Sequence, residues 1–267
     1  MKKFGKLLKS ILISTFLVAV PLTNAFAVEK EFMKGDGELI PPTEKEILIE
    51  SQKSKEAAEY CAKKYAAEKM AGQKTGWVSN KAVIIDDNGD KYNSVGLFRQ
   101  SKGYTCGPAS ARNLINGFVY YNYTFANKAG GVVPSEETLE HELETTTSGT
   151  DFDASKWQPV LKKYTDRAYT LSWGSSTNWE TSLKTKIMST IDDPNCYNVI
   201  ANINHGSTST PIHEVYGKKA AHYVCVYGYN DTTKEFIIAD PNEKAPAQFR
   251  CSYKALANST RNRGVIW

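Results

Sequence analysis

The alternation of apolar and polar positions reads as helix-periodic segments early in the chain and strand-periodic segments late. Thr43-Glu44-Lys45-Glu46 has the form of a capping box, in which the Thr hydroxyl and the Glu carboxylate each satisfy a free backbone N–H at a helix start. It predicts a charged helix that runs to about Ala71 and stops at Gly72. Ala58, Cys61 and Tyr65 recur one turn apart there and predict a narrow packing stripe. Residues 82–85 and 92–97 are β-prone runs around Asp86-Asp87-Asn88-Gly89-Asp90, which predicts a hairpin. Further helices are predicted over 105–118, with Pro108 in a first turn where its missing N–H costs nothing, and over 136–145, 154–164 and 179–191. Strands follow over 196–203, 221–229, 235–239 and 264–267. This segregation predicts an α+β fold, with N-terminal helices packed on a mainly antiparallel sheet.

The first 27 residues break the pattern. Lys2, Lys3, Lys6 and Lys9 precede an apolar run over 11–22, followed by the small residues of Ala25-Phe26-Ala27. This is the form of a bacterial secretory signal peptide cleaved after Ala27, so an exported protein is expected. The run is about a dozen residues, below the roughly 18 that span a bilayer. Position 28 is Val28 rather than a lipid-attachment Cys, so no membrane association is expected after cleavage. Residues 28–76, a polar arm ending in Pro41-Pro42 and then the charged helix, read either as a removable pro-region or as a peripheral helix. Residues 77–267 read as the functional domain.

Charge changes the picture once the signal is set aside. The 33 Lys and Arg against 29 Asp and Glu give +4, but removing the four signal lysines leaves 29 of each sign. The electrostatic case for nucleic acid, which needs a basic surplus on one face, disappears. Five cysteines in an exported chain leave at least one thiol free or paired between chains. If that one is Cys106, then Cys61, Cys196, Cys225 and Cys251 remain for up to two disulfides, with Cys225 and Cys251 the suggested pair.

Cys106 falls at a predicted helix start, in Gln100-Ser101-Lys102-Gly103-Tyr104-Thr105-Cys106-Gly107-Pro108. Unpaired N–H groups and the helix dipole favour the thiolate there, and the thiolate is the form that attacks. Gly107 keeps bulk from the sulfur and Pro108 stiffens the turn. A buried structural cysteine is the competing reading of Cys106 alone. Of the four histidines, His141 lies in an acidic helical run, and His205 and His213 flank the Gly- and Ser/Thr-rich loop 204–219. His222 begins a strongly apolar strand, which positions a ring better, and is the expected base. The strand turns at 230–234 and returns to Asp240-Pro241, so antiparallel pairing brings Asp240 back toward His222, where a carboxylate would orient the ring.

Gln100, then Cys106-Gly107-Pro108-Ala109, then His222 on an apolar strand with Gly228-Tyr229 and a hairpin to Asp240-Pro241, resembles papain-like cysteine peptidases. The nearest pattern is that of the bacteriocin double-glycine leader peptidases and their exported stand-alone relatives, over about residues 92–245. The resemblance implies a papain-like fold acting on a peptide or protein substrate without a cofactor. It also implies Cys106 as nucleophile, His222 as base and then acid, Asp240 as orienter, and Gln100 with the Cys106 N–H as oxyanion donors. Leader peptidases of that group usually front an ATP-driven membrane exporter, and no Walker-type phosphate loop is found here. The substrate therefore does not carry over. The loop 204–219 is expected to cover the site.

Three rival readings are weighed against this one. His222-x-x-Cys225 has a ligand-like spacing, but residues three apart on a strand point to opposite faces, so no metal site is expected. Acyl or γ-glutamyl transfer would use the same thioester and differ only in the nucleophile that resolves it. An inactive exported binding protein of the same fold has no need of the full Gln, Cys, His and Asp set.

Overall fold

The computed structural model describes residues 37–70, 84–125, 132–174, 177–204, 212–216 and 221–267. The expected signal segment and the stop at Gly72 lie outside them. The elements are α1 (Glu44–Met70), β1 (Ile84–Ile85), β2 (Lys91–Tyr92), α2 (Cys106–Phe125), α3 (Glu136–Glu142), α4 (Ala154–Thr165) and β3 (Leu171–Trp173). After these come α5 (Trp179–Ile191), β4 (Val199–Asn204), a 3-10 turn (Glu214–Tyr216), β5 (Ala221–Asn230), β6 (Glu235–Ala239), β7 (Gln248–Ser252), α6 (Tyr253–Thr260) and β8 (Gly264–Ile266).

The strands form one sheet in the order β1-β2-β5-β4-β8-β3, with β6 and then β7 added on the other edge of β5, and every pairing is antiparallel. The fold is therefore α+β, as its sequence pattern predicts. Helices cover both faces. Val199, Ala201 and Ile203, with Val224 and Val226, face α1, α5 and α6, whereas Ile200, Tyr223, Cys225 and Tyr227 face α2 and α4. This period of two is what a fully buried strand with apolar residues at every position looks like.

Several details depart from the sequence reading. The strand over 92–97 shrinks to Lys91–Tyr92, because the following stretch is pinned to α2: the Gly96 N–H donates to the Asn113 carbonyl (2.8 Å) and Asn113 Oδ1 accepts from the Phe98 N–H (2.7 Å). α2 runs seven residues past the predicted Phe118, while α3 stops at Glu142, where Leu143 caps it and Glu144 turns left-handed at φ 51°. Cys196 also lies at positive φ, so β4 starts only at Val199. β3, β7 and α6 were not foreseen; β3 and β7 are short.

The stripe of α1 is shifted as well. Cys61 is buried and Tyr65 packs half-buried on the core as expected, but Ala58 is exposed, and Ala57 and Lys64 are buried beside them. Lys64 pairs with Asp192 and hydrogen-bonds the Tyr229 hydroxyl. The predicted capping box is present, with the Glu46 N–H on Thr43 Oγ1 at 3.3 Å and the Thr43 N–H on Glu46 Oε2 at 2.6 Å.

The suggested Cys225–Cys251 disulfide is corrected. Cys225 on β5 points into the layer beneath α2, and Cys251 on β7 points into the layer beneath α5, so the sheet separates them. All five cysteines are free thiols.

Candidate active site

Cys106 is the first residue of α2, and His222 is the second residue of β5. The two elements are tied directly: Ser110 Oγ donates to the Tyr223 carbonyl at 2.9 Å, within a buried contact. One turn along the helix from Cys106 and one residue along the strand from His222, this bond sets the spacing between the two side chains. Gly107 is needed because a Cβ there would meet Thr150 Oγ1 at 2.4 Å, and Thr150 is itself buried and bonded to Thr145. The glycine thus lets α2 sit against the 145–152 loop, which the sequence did not suggest.

Asp240 follows β6 and comes back beside His222, with Oδ1 2.9 Å from His222 Nε2. The ring also hydrogen-bonds the Cys106 side chain. With Nε2 directed at Asp240, Nδ1 is the nitrogen left for the sulfur. Cys106, His222 and Asp240 expose only 2, 5 and 2% of their surface. Burial works against the charged imidazolium, but the bonds and charges of Asp240 and then Cys106 outweigh it and push His222 up to about 10.

The Asp240 carboxylate has no idle oxygen. Oδ1 also accepts the Asn242 N–H at 2.8 Å, and Oδ2 accepts the Tyr216 hydroxyl. Arg99 holds the loop that follows, donating to the carbonyls of Asp240 (2.8 Å), Asn242 (2.7 Å) and Ala245 (3.0 Å). Tyr216, Arg99 and Ser110 were missed in the sequence. Two of them bind main-chain carbonyls, which any residue supplies, and Tyr216 sits in a loop of low pattern content.

Gln100 is held next to Asp240 by its own backbone, the N–H donating to the Pro241 carbonyl at 2.8 Å. Its side-chain Nε2 donates one proton to the Lys102 carbonyl at 2.9 Å, which leaves the second proton of the amide for another acceptor. The segment is braced from α3: Glu136 Oε1 accepts from the Ser101 N–H and hydroxyl (2.9 and 3.0 Å), and Lys102 pairs with Glu140 at 2.7 Å.

The other histidines stay apart. His141 is exposed on α3. The His213 ring packs 4.9 Å from that of Phe249, and its Nδ1 accepts the Val215 N–H at 3.3 Å. His205 lies outside the described residues. Cys225 points to the side of the sheet opposite that of Val224 and Val226, so His222 and Cys225 do not converge on one point.

This arrangement can hold a thiol against an imidazole whose far nitrogen is fixed by a carboxylate, the geometry for nucleophilic attack on a carbonyl. No curated protein matches the chain. Among solved structures, the Amb a 11 cysteine protease of ragweed pollen in its proform is similar at 13% identity and a TM-score of 0.42, over 72% of this chain and 67% of that one. Digestive procathepsin L 3 of Tenebrio molitor larval midgut is similar at 11% identity and a TM-score of 0.34, over 93% and 99%. Residues 92–262, more than half of the chain, match the Peptidase_C39 like family, reaching past the 245 expected from sequence to take in β7 and α6. On that match the chain belongs to the Peptidase_C39-like family of cysteine-type peptidases.

Proposed function

We propose that the protein is an exported cysteine peptidase that hydrolyses peptide bonds through a thioester on Cys106. The observation that carries this reading is His222, hydrogen-bonded to Cys106 on one side and to Asp240 on the other. The Cys106 thiol gives its proton to His222 Nδ1, the thiolate sulfur attacks the scissile carbonyl carbon, and the carbonyl π pair moves onto oxygen. The Gln100 amide and the Cys106 N–H stabilise that oxyanion; removing one such donor typically costs about 100- to 1,000-fold in rate. The oxyanion re-forms its double bond, the C–N bond breaks, and the leaving amine takes its proton from the His222 imidazolium. His222, now neutral, takes a proton from water, whose hydroxide attacks the thioester and releases the carboxylic acid and the thiol.

Asp240 keeps the imidazole in the tautomer with the proton on Nε2 and balances the imidazolium charge. No step calls for a cofactor. Export rests on the sequence of the first 27 residues, and the partner class is a peptide or protein substrate.

The test is mass spectrometry of a peptide mixture treated with wild type and with Cys106→Ala, each with and without an added amine. New termini in the wild type alone are expected. Amide products formed only with the amine would make the protein an acyl transferase, and unchanged peptides together with unmodified Cys106 would make it a binding protein.

A further inference from the structure

Tyr216 stands where the two helical layers meet around His222. Cys106 reaches the ring from the α2 layer, while Tyr216, in the 3-10 turn just upstream of β5, belongs to the core on the opposite face of the sheet. Its ring lies 5.4 Å from the His222 ring, centroid to centroid, with 35° between their planes. Its hydroxyl donates to Asp240 Oδ2, the carboxylate oxygen that His222 does not use. Tyr216 is itself buried.

The chemistry of a carboxylate orienter makes this contact consequential. A carboxylate bonded only through Oδ1 can rotate about its last torsion and can concentrate its charge on the imidazole. With Oδ2 tied to a fixed hydroxyl, rotation would break that bond, and part of the negative charge is drawn away from the His222 side. The buried ring packs over the same pair. Burial and the adjoining carboxylate push the Tyr216 hydroxyl well above its ordinary range, so it remains a donor.

We propose that Tyr216 is a positioning residue for the His222–Asp240 pair, acting through Asp240 Oδ2 and through its ring. The proposal rests on the peptidase reading above. The titratable groups facing His222 are Asp240, Cys106 and Tyr216, and those facing Tyr216 are Asp240 and Cys106.

The readout is the rate of Cys106 alkylation by iodoacetamide as a function of pH, alongside kcat and KM on a cleaved peptide. Wild type, Tyr216→Phe and His222→Ala are compared. Tyr216→Phe keeps the packed ring and removes only the donor. We expect kcat to fall about tenfold with KM little changed, and the alkaline limb of the alkylation profile to move up. The limb moves up because an uncompensated Asp240 favours the protonated ring.

Identical profiles and kcat in wild type and Tyr216→Phe would overturn the assignment of Tyr216 while leaving the peptidase reading in place. Alkylation that does not change in His222→Ala would instead overturn the pairing of Cys106 with His222. A further measurement needs no variant: the wild-type His222 Nε2 proton should resist exchange and be visible in the downfield proton spectrum. A fast-exchanging, invisible proton would mean that water reaches the pair and would also sink the proposal.

Discussion

The Ser110 hydroxyl donates to the main-chain carbonyl of Tyr223 at 2.9 Å and so fastens the helix that begins at Cys106 to the strand that begins beside His222. β6 pairs with β5 only from Cys225 onward, while Tyr223 lies opposite Asn202 of β4, so the Ser110 bond adds a direct helix-to-strand tie to the sheet's own pairing. Ser110→Ala removes a buried hydrogen bond, and we expect a loss of about 0.5–1.5 kcal/mol in urea unfolding. Alkylation of Cys106 should slow with it. A variant that loses stability and keeps the wild-type alkylation rate would show that the bond sets stability and not the spacing of the pair.

Arg99 makes three bonds to the backbone that carries Asp240. Arg99→Ala should lower the melting temperature and kcat together. Arg99→Lys should restore only part of either, because a compact ammonium does not reproduce a planar fork that serves three carbonyls. Full recovery with Lys would indicate that charge alone matters at this position.

The His222 shift makes stability depend on pH in a definite direction. Its folded-state value, about 10, lies above the ordinary histidine value of 6.5. The folded protein therefore binds a proton that the unfolded chain lacks between those two values. The stabilisation is fully present below pH ~6.5 and is lost as pH rises through about 10, with a limiting slope of about 1.4 kcal/mol per pH unit for one proton. Chemical denaturation across pH 6 to 10 should show this fall in wild type and a flatter line in His222→Gln. Equal slopes would refute it.

Burial pushes the Cys196 thiol up to about 12 and raises those of Cys61, Cys225 and Cys251 as well. Peptide mapping after brief iodoacetamide treatment near neutral pH should find Cys106 modified and the other four intact until the protein is unfolded. Reduction should leave the native mass unchanged, because no two of these thiols are bridged. Earlier labelling at any of the other four would contradict the assignment of the nucleophile.

Lys64 of α1 and Asp192 form a buried pair, with side-chain exposures of 5 and 6%. Lys64→Met strands a buried carboxylate, and we expect a loss of about 3–5 kcal/mol. For the same reason we expect active preparations to retain α1, because removing it would take Lys64 away from Asp192 and expose the surface under Ala57 and Cys61. Full activity and an unchanged melting temperature in a chain cut after residue 70 would make the segment a dispensable pro-region instead.

Much of the architecture was legible because periodicity is a local signal. α5 falls at its predicted bounds, and β5 and β6 lie within a residue of theirs, since long apolar runs with strong turns leave few alternatives. The errors lie where a distant partner decides. The 96–98 stretch has β-prone residues but spends its backbone bonds on Asn113, and Ala58 lost its place in the stripe to Ala57 because α1 is rotated to bury Lys64.

The sequence by itself determined the helix start at Cys106 and the hairpin that returns Asp240 toward His222, which follow from short-range rules of helix initiation and antiparallel pairing, while Gln100 came from the family resemblance alone. Only the tertiary structure decided which cysteines face each other, how α2 meets β5 through Ser110, and that Tyr216 and Arg99 close around Asp240. Those outcomes depend on which faces of the sheet the helices cover and which backbone carbonyls come within reach of a side-chain donor. Neither is written in any local stretch of residues, because a main-chain acceptor has the same chemistry wherever it occurs.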